Sequence, residues 1–114
     1  MRQGGKIDFV EFPAGDLTAT KAFYREAFGW IFADYGPSYA AFEGQGTDGG
    51  FNADAAEAPA KPLVVLYAQD LEGMEAKVLG AGGRVIRPTF EFPGGRRFHF
   101  ADPSGNELAV WSET

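Results

Sequence analysis

An α+β fold built from two tandem βαβββ modules is what this sequence predicts. The modules join into one curved mixed sheet around a trough, with the helices on its convex side. Three observations lead there. Asp16-Leu17 returns as Asp70-Leu71 at an offset of 54 residues, and Gly29 and Ile31 return as Gly83 and Val85 at the same offset. Each repeat reads as a strand, a helix and further strands. The last stretch, Arg96-Arg97-Phe98-His99-Phe100-Ala101 and Glu107-Leu108-Ala109-Val110-Trp111 around Asp102-Pro103-Ser104-Gly105-Asn106, alternates in both arms as a β-hairpin does.

The first strand is Lys6 to Pro13, rich in β-formers and alternating. Val10 and Phe12 face the core, and Phe9 and Glu11 face the other side. Asp16 is placed as a helix N-cap. Leu17, Thr20, Tyr24, Ala27 and Phe28 follow at helical spacing, and Gly29 ends the helix. Trp30 to Tyr35 and Ser38 to Glu43 read as strands around a Gly36-Pro37 turn. A short strand lies around Gly50 to Ala53.

Composition shifts to Gly, Ala, Asp and Pro between Gly44 and Pro62. The chain therefore divides into module one, about 6–53, a linker, about 54–61, and module two, about 62–112, within one domain. Module two opens with a strand from Leu63 to Gln69. Its helix carries Leu71, Met74, Val78 and Ala81 on one stripe and ends near Gly82-Gly83. A strand from Arg84 to about Arg87 precedes an irregular stretch through Pro93-Gly94-Gly95, and the hairpin follows. Phe98, Phe100, Leu108 and Val110 make its packed face. Arg97, His99, Ala101, Glu107, Ala109 and Trp111 make the other.

Composition excludes several functions. A net charge of −6 and a pI near 4.6 leave no basic stripe for nucleic acid. No apolar run reaches the ~18–20 residues of a membrane span. The start of the chain lacks the apolar region of a signal peptide, so a cytoplasmic location is expected. With no cysteine, thiolate chemistry is absent.

The sequence resembles the vicinal oxygen chelate superfamily of glyoxalases, extradiol dioxygenases and bleomycin-resistance proteins. Asp16 with Phe23-Tyr24 and Gly29-Trp30 is similar to that family's D-x-x-x-x-x-x-F-Y-x-x-x-x-G-W. Gln69-Asp70-Leu71 and Phe100-Ala101-Asp102-Pro103-Ser104-Gly105-Asn106 also match. The family's chemistry uses a divalent metal, and its ligand positions fall here on Phe9, Leu63 and Ala109. Hydrocarbon side chains supply no donor to a cation. The resemblance therefore implies the fold without the usual metal, and no cofactor is expected.

Chemistry then rests on other groups of the trough face. His99, the only histidine, is a candidate base or donor to a ligand. Glu11 is its expected partner and second catalytic group. Phe9, Tyr39, Leu63, Tyr67, Arg97 and Trp111 are the expected ligand-binding residues, aromatic lining with one cation. These features predict a small-molecule-binding protein or a metal-independent lyase or isomerase. A divalent-metal enzyme with displaced ligands Glu11, His99 and Glu107 is the alternative. An interaction module whose trough is filled by its own side chains is a third. The resemblance also implies a homodimer.

Overall fold

A computed structural model describes residues 2–114. The elements run β1 (Ile7–Pro13), α1 (Leu17–Phe28), β2 (Phe32–Asp34), β3 (Tyr39–Phe42), β4 (Gly49–Asn52), β5 (Leu63–Tyr67), α2 (Leu71–Gly80), β6 (Arg84–Phe92), β7 (Gly95–Ala101) and β8 (Glu107–Ser112). This is βαβββ twice, an α+β fold as expected. The chain forms two compact units, one of residues 9–63, the other of 64–114 together with residues 2–8. No helix among the described residues is long and apolar enough to cross a membrane.

In the unit of residues 9–63, β1 pairs parallel with β4, β4 antiparallel with β3, and β3 antiparallel with β2. Its helix begins where a side chain can satisfy a free amide: Asp16 accepts from the Ala19 N–H at 3.0 Å. It ends at Gly29, whose φ of +75° suits a residue without a Cβ. The core of this unit is aromatic. Phe12 stacks on Phe51 at 5.1 Å, and Tyr24 of α1 lies between Trp30 at 4.7 Å and Phe51 at 5.1 Å. Tyr24, Gly29 and Trp30 of the family motif are thus framework residues. The expected apolar stripe of α1 breaks down at Ala27 and Phe28, and Phe28 is 64 % exposed. Trp30 occupies the space beside Phe42 at 4.6 Å and Tyr24 instead.

In the other unit, β5 pairs parallel with β8, β8 antiparallel with β7, and β7 antiparallel with β6. The Asp70 side chain caps α2 by accepting from the Gly73 N–H at 3.0 Å. Phe98, Phe100 and Val110 form one buried cluster with Ala68 and Leu71, and Leu66, Met74, Val78, Val85 and Leu108 pack against it. The apolar face of the hairpin therefore meets α2, as alternation requires. Burying each large side chain there contributes about 1.5–3 kcal/mol.

One expectation holds in this unit and one fails. α2 ends close to Gly82-Gly83 as expected: its cap residue is Ala81, and the positive φ of +103° belongs to Gly82. The stretch after Arg87, however, is strand and not loop. β6 runs unbroken to Phe92, with register shifts between Val85 and Arg87 and between Arg87 and Phe90. Pro88 is tolerated because β6 is the end strand of this unit, where a missing N–H leaves no partner waiting.

Candidate functional site

His99 sits in the middle of β7, opposite Ala109 of β8 and Arg87 of β6. It is 6 % exposed. Its Nδ1 is 2.9 Å from Oε2 of Glu107. Glu107 lies two positions from Ala109 on the same strand face, so the hairpin register brings the carboxylate to the imidazole diagonally. A carboxylate only accepts, so Nδ1 carries the ring proton and the neutral ring keeps a lone pair on Nε2. That Nε2 is buried without a hydrogen-bond partner. Burial holds the imidazole below the ordinary histidine value; the bond to Glu107 pushes the other way, and Arg97 and Arg87 add to the lowering. The result is a neutral, oriented imidazole with one unused nitrogen.

The flanking residues are aromatic and cationic. The Phe90 ring is 5.7 Å from the His99 ring. The Arg87 guanidinium stacks on Phe90 at 3.6 Å, and that of Arg97 stands 5.4 Å from Phe90 and 5.7 Å from Phe92. Phe92 in turn lies 6.1 Å from Trp111. The Trp111 indole N–H donates to Asp8 at 2.9 Å, and Arg2 lies over its ring at 4.9 Å.

Tyr67 meets Trp111 edge-on at 5.5 Å and donates to Glu113 at 3.0 Å. Burial, then the Glu113 carboxylate, holds its phenol above the usual value. A cavity of about 490 Å³ opens beside it, lined by Arg2, Gly4, Tyr67, Gln69 and Glu113.

The sequence pairs His99 with Glu11; in the structure each has its own partner. Glu11, 3 % exposed, accepts from the Asn52 amide at 3.0 Å, and Asn52 also accepts from the Asp54 N–H at 2.9 Å. Glu11 stands opposite Gly50 on β4, and Tyr39 stands opposite Asn52 on β3. Gly50 is needed at its position, since a Cβ there would run into the Tyr39 phenol. Gly50→Ala is therefore expected to cost about 1–3 kcal/mol in urea unfolding. Gly4→Ala, whose Cβ meets nothing within 4 Å, should change stability by less than about 0.5 kcal/mol.

The metal implied by the resemblance does not fit these residues. Phe9, Leu63 and Ala109 offer no donor atom, and Leu63 and Ala109 are buried. Among the described residues no group of three or more His, Asp or Glu side chains is placed to hold an ion. Glu107 is bound to the imidazole it was expected to join in ligation.

Sequence reasoning missed Glu107 as the partner of His99, although the hairpin register already implied it. It gave Arg87 no role although it placed that residue in a strand, and it missed Phe90 because it ended the strand at about Arg87. Asn52 and Asp8 gave no signal beyond their polarity. Asp102 is the turn residue it was read as, accepting from the Ser104 and Asn106 N–H groups at 2.9 Å each. These bonds, that of the Asn106 side chain foremost, hold its carboxyl below the usual range.

Comparison with known proteins places these observations. Residues 6–110 match the family described as Glyoxalase/Bleomycin resistance protein/Dioxygenase superfamily. CFP32 of Mycobacterium bovis and of Mycobacterium tuberculosis, which carries the name of a glyoxylase, is 29% identical over 119 residues, covering 94% of this chain and 45% of that protein. The chain thus spans about half the length of the curated relatives it matches. Methylmalonyl-CoA epimerase from Mycobacterium tuberculosis superposes with a TM-score of 0.73 at 14% identity, covering 99% of this chain and 91% of that one. The Mn(II)-bound glyoxalase from Novosphingobium aromaticivorans gives 0.69 at 23% identity, covering 99% and 40%. At these identities the likeness is one of fold.

Proposed function

We propose that this chain, which belongs to the Glyoxalase/Bleomycin resistance protein/Dioxygenase superfamily, holds a small molecule against His99 and moves a proton at that ligand through Nε2. The reaction class is that of a lyase or isomerase, with proton abstraction next to a carbonyl as its central step. One observation carries this reading: a buried imidazole, fixed through Nδ1 by Glu107, keeps an Nε2 that the protein itself does not use. Leaving a buried polar atom unpaired costs about 1–3 kcal/mol. A ligand that supplies the missing partner recovers that cost.

The chemistry follows from the neighbours. Burial and two guanidinium charges keep the ring neutral, which is the form that accepts a proton. When it does, the Glu107 carboxylate stabilises the imidazolium. The aromatic side chains of Phe90 and Trp111 give the ligand apolar surface. No step requires a metal ion, because the residues at the family's ligand positions cannot bind one.

The test is a panel of small carbonyl compounds, read by tryptophan fluorescence and by hydrogen–deuterium exchange at the carbon next to the carbonyl. Exhaustive chelation should leave both signals unchanged. Binding or exchange that appears only after a divalent cation is restored would refute the proposal. The homodimer implied by the resemblance belongs with it, and light scattering should then give twice the chain mass of 12.3 kDa.

A further inference from the structure

We propose that Arg87 and Arg97 hold an oxyanion of the ligand beside His99, so that the molecule bound is a small acid with a hydroxyl or carbonyl next to its charged group. This rests on the reading of His99 given above and names the substrate class of the same site.

The placement is produced by two irregularities in one strand. In a regular β6, Arg87 and Phe90 would fall on opposite faces, being three residues apart. The register shift between them brings both to the face of β7 that carries Arg97 and His99, with Arg87 opposite His99 and Phe90 opposite Arg97. A second shift, between Val85 and Arg87, turns the strand from the core, where Val85 packs, to this face. Bulges of this kind re-aim side chains. The Phe90 ring then holds the Arg87 guanidinium plane at 3.6 Å and stands 5.4 Å from that of Arg97.

Charge points the same way. The chain as a whole carries −6, yet four of its ten basic residues, Arg84, Arg87, Arg96 and Arg97, lie in the β6–β7 hairpin. Arg96 is spent on Glu72, at 2.6 and 3.3 Å. Arg87 and Arg97 are close enough to His99 to act on its protonation. Each also has another interaction within the protein. A guanidinium has five N–H donors, so a carboxylate can be added to such a group.

The unpaired Nε2 decides what else the ligand carries. In the neutral ring it is an acceptor, so it repels an anion and attracts an O–H or an acidic C–H. The guanidiniums therefore take the charge and the imidazole takes the hydrogen beside it. A 2-hydroxy acid or a 2-oxo acid with an acidic C–H meets both demands, and a phosphate ester bearing a hydroxyl meets them by the same chemistry.

Calorimetric titration of the full chain with 2-hydroxybutyrate, its neutral amide and glycerol phosphate tests this. One of the two anions should bind about tenfold or more tightly than the amide, and the tighter one identifies carboxylate or phosphate. Arg87→Gln and Arg97→Gln should each weaken that anion about tenfold while leaving amide binding unchanged, with unfolding midpoints measured to show intact folds. Equal affinity for acid and amide would overturn the inference, as would wild-type affinity in both variants. If neutral carbonyl compounds still shift the His99 signal in nuclear magnetic resonance, only this inference falls. If no compound shifts it, the reading of His99 falls too.

Discussion

His99→Gln is expected to lower turnover by about 10²–10⁴-fold, the usual contribution of a positioned general base. The fold should survive. Glutamine fits the space of the ring, and the Glu107 carboxyl it would leave behind is about half exposed, at 49 % of its side chain, so water can replace the lost bond. Glutamine can still donate to Glu107, but it has no basic nitrogen at the Nε2 position. Turnover should therefore fall while the unfolding midpoint moves little. Glu107→Gln should show a smaller loss, because it keeps the base and removes only the group that orients it and stabilises its charged form. Equal activity in His99→Gln and the parent would exclude the imidazole from the chemistry.

Phe98→Ala should produce the largest loss of stability, about 3–5 kcal/mol. Phe98 is wholly buried, 0 % exposed, in the cluster with Leu71, Phe100 and Val110 beneath α2. Its ring lies 6.2 Å from that of Phe100. Removing it leaves a cavity that two strands and a helix cannot collapse to fill. Against a total of about 5–15 kcal/mol for a domain of this size, such a loss brings the protein near its unfolding threshold. Phe28→Ala, at 64 % exposure, should change stability by less than about 0.5 kcal/mol. Urea unfolding of the two variants measures both. A cost below about 1 kcal/mol for Phe98→Ala would mean that the hairpin faces the other way.

That hairpin shows how much was legible in the sequence. Strict alternation over Arg97 to Ala101 and Glu107 to Trp111 assigns every side chain to a face, and the structure has each where alternation puts it. The caps at Asp16 and Asp70 were legible for the same reason: each depends on a local bond within three residues. Features that depend on register were not. The strand from Arg84 was expected to stop at about Arg87, and with its second half went Phe90, whose ring lies beside that of His99. The Glu11–Asn52 bond joins residues 41 apart, which no periodicity connects. Phe28 fits the helical stripe of α1, yet the space it would occupy belongs to Trp30, a residue outside the helix.

Charge on the imidazole ties the account together, and its pH dependence has a definite sign. The folded protein holds His99 below its unfolded value of about 6.5, so the unfolded chain binds the extra proton first. The stabilising contribution is complete above that value and is lost as pH falls through the folded value. Activity that uses the neutral ring should likewise stay level through neutral pH and decline only on the acid side.

Because the chain has one histidine, a nitrogen-15 titration of the full protein reports on it without ambiguity. The expected result is a neutral ring protonated at Nδ1, with an unprotonated Nε2, and a midpoint below 6.5 that a bound ligand shifts. A ring protonated at Nε2, or a midpoint above 6.5, would contradict the account.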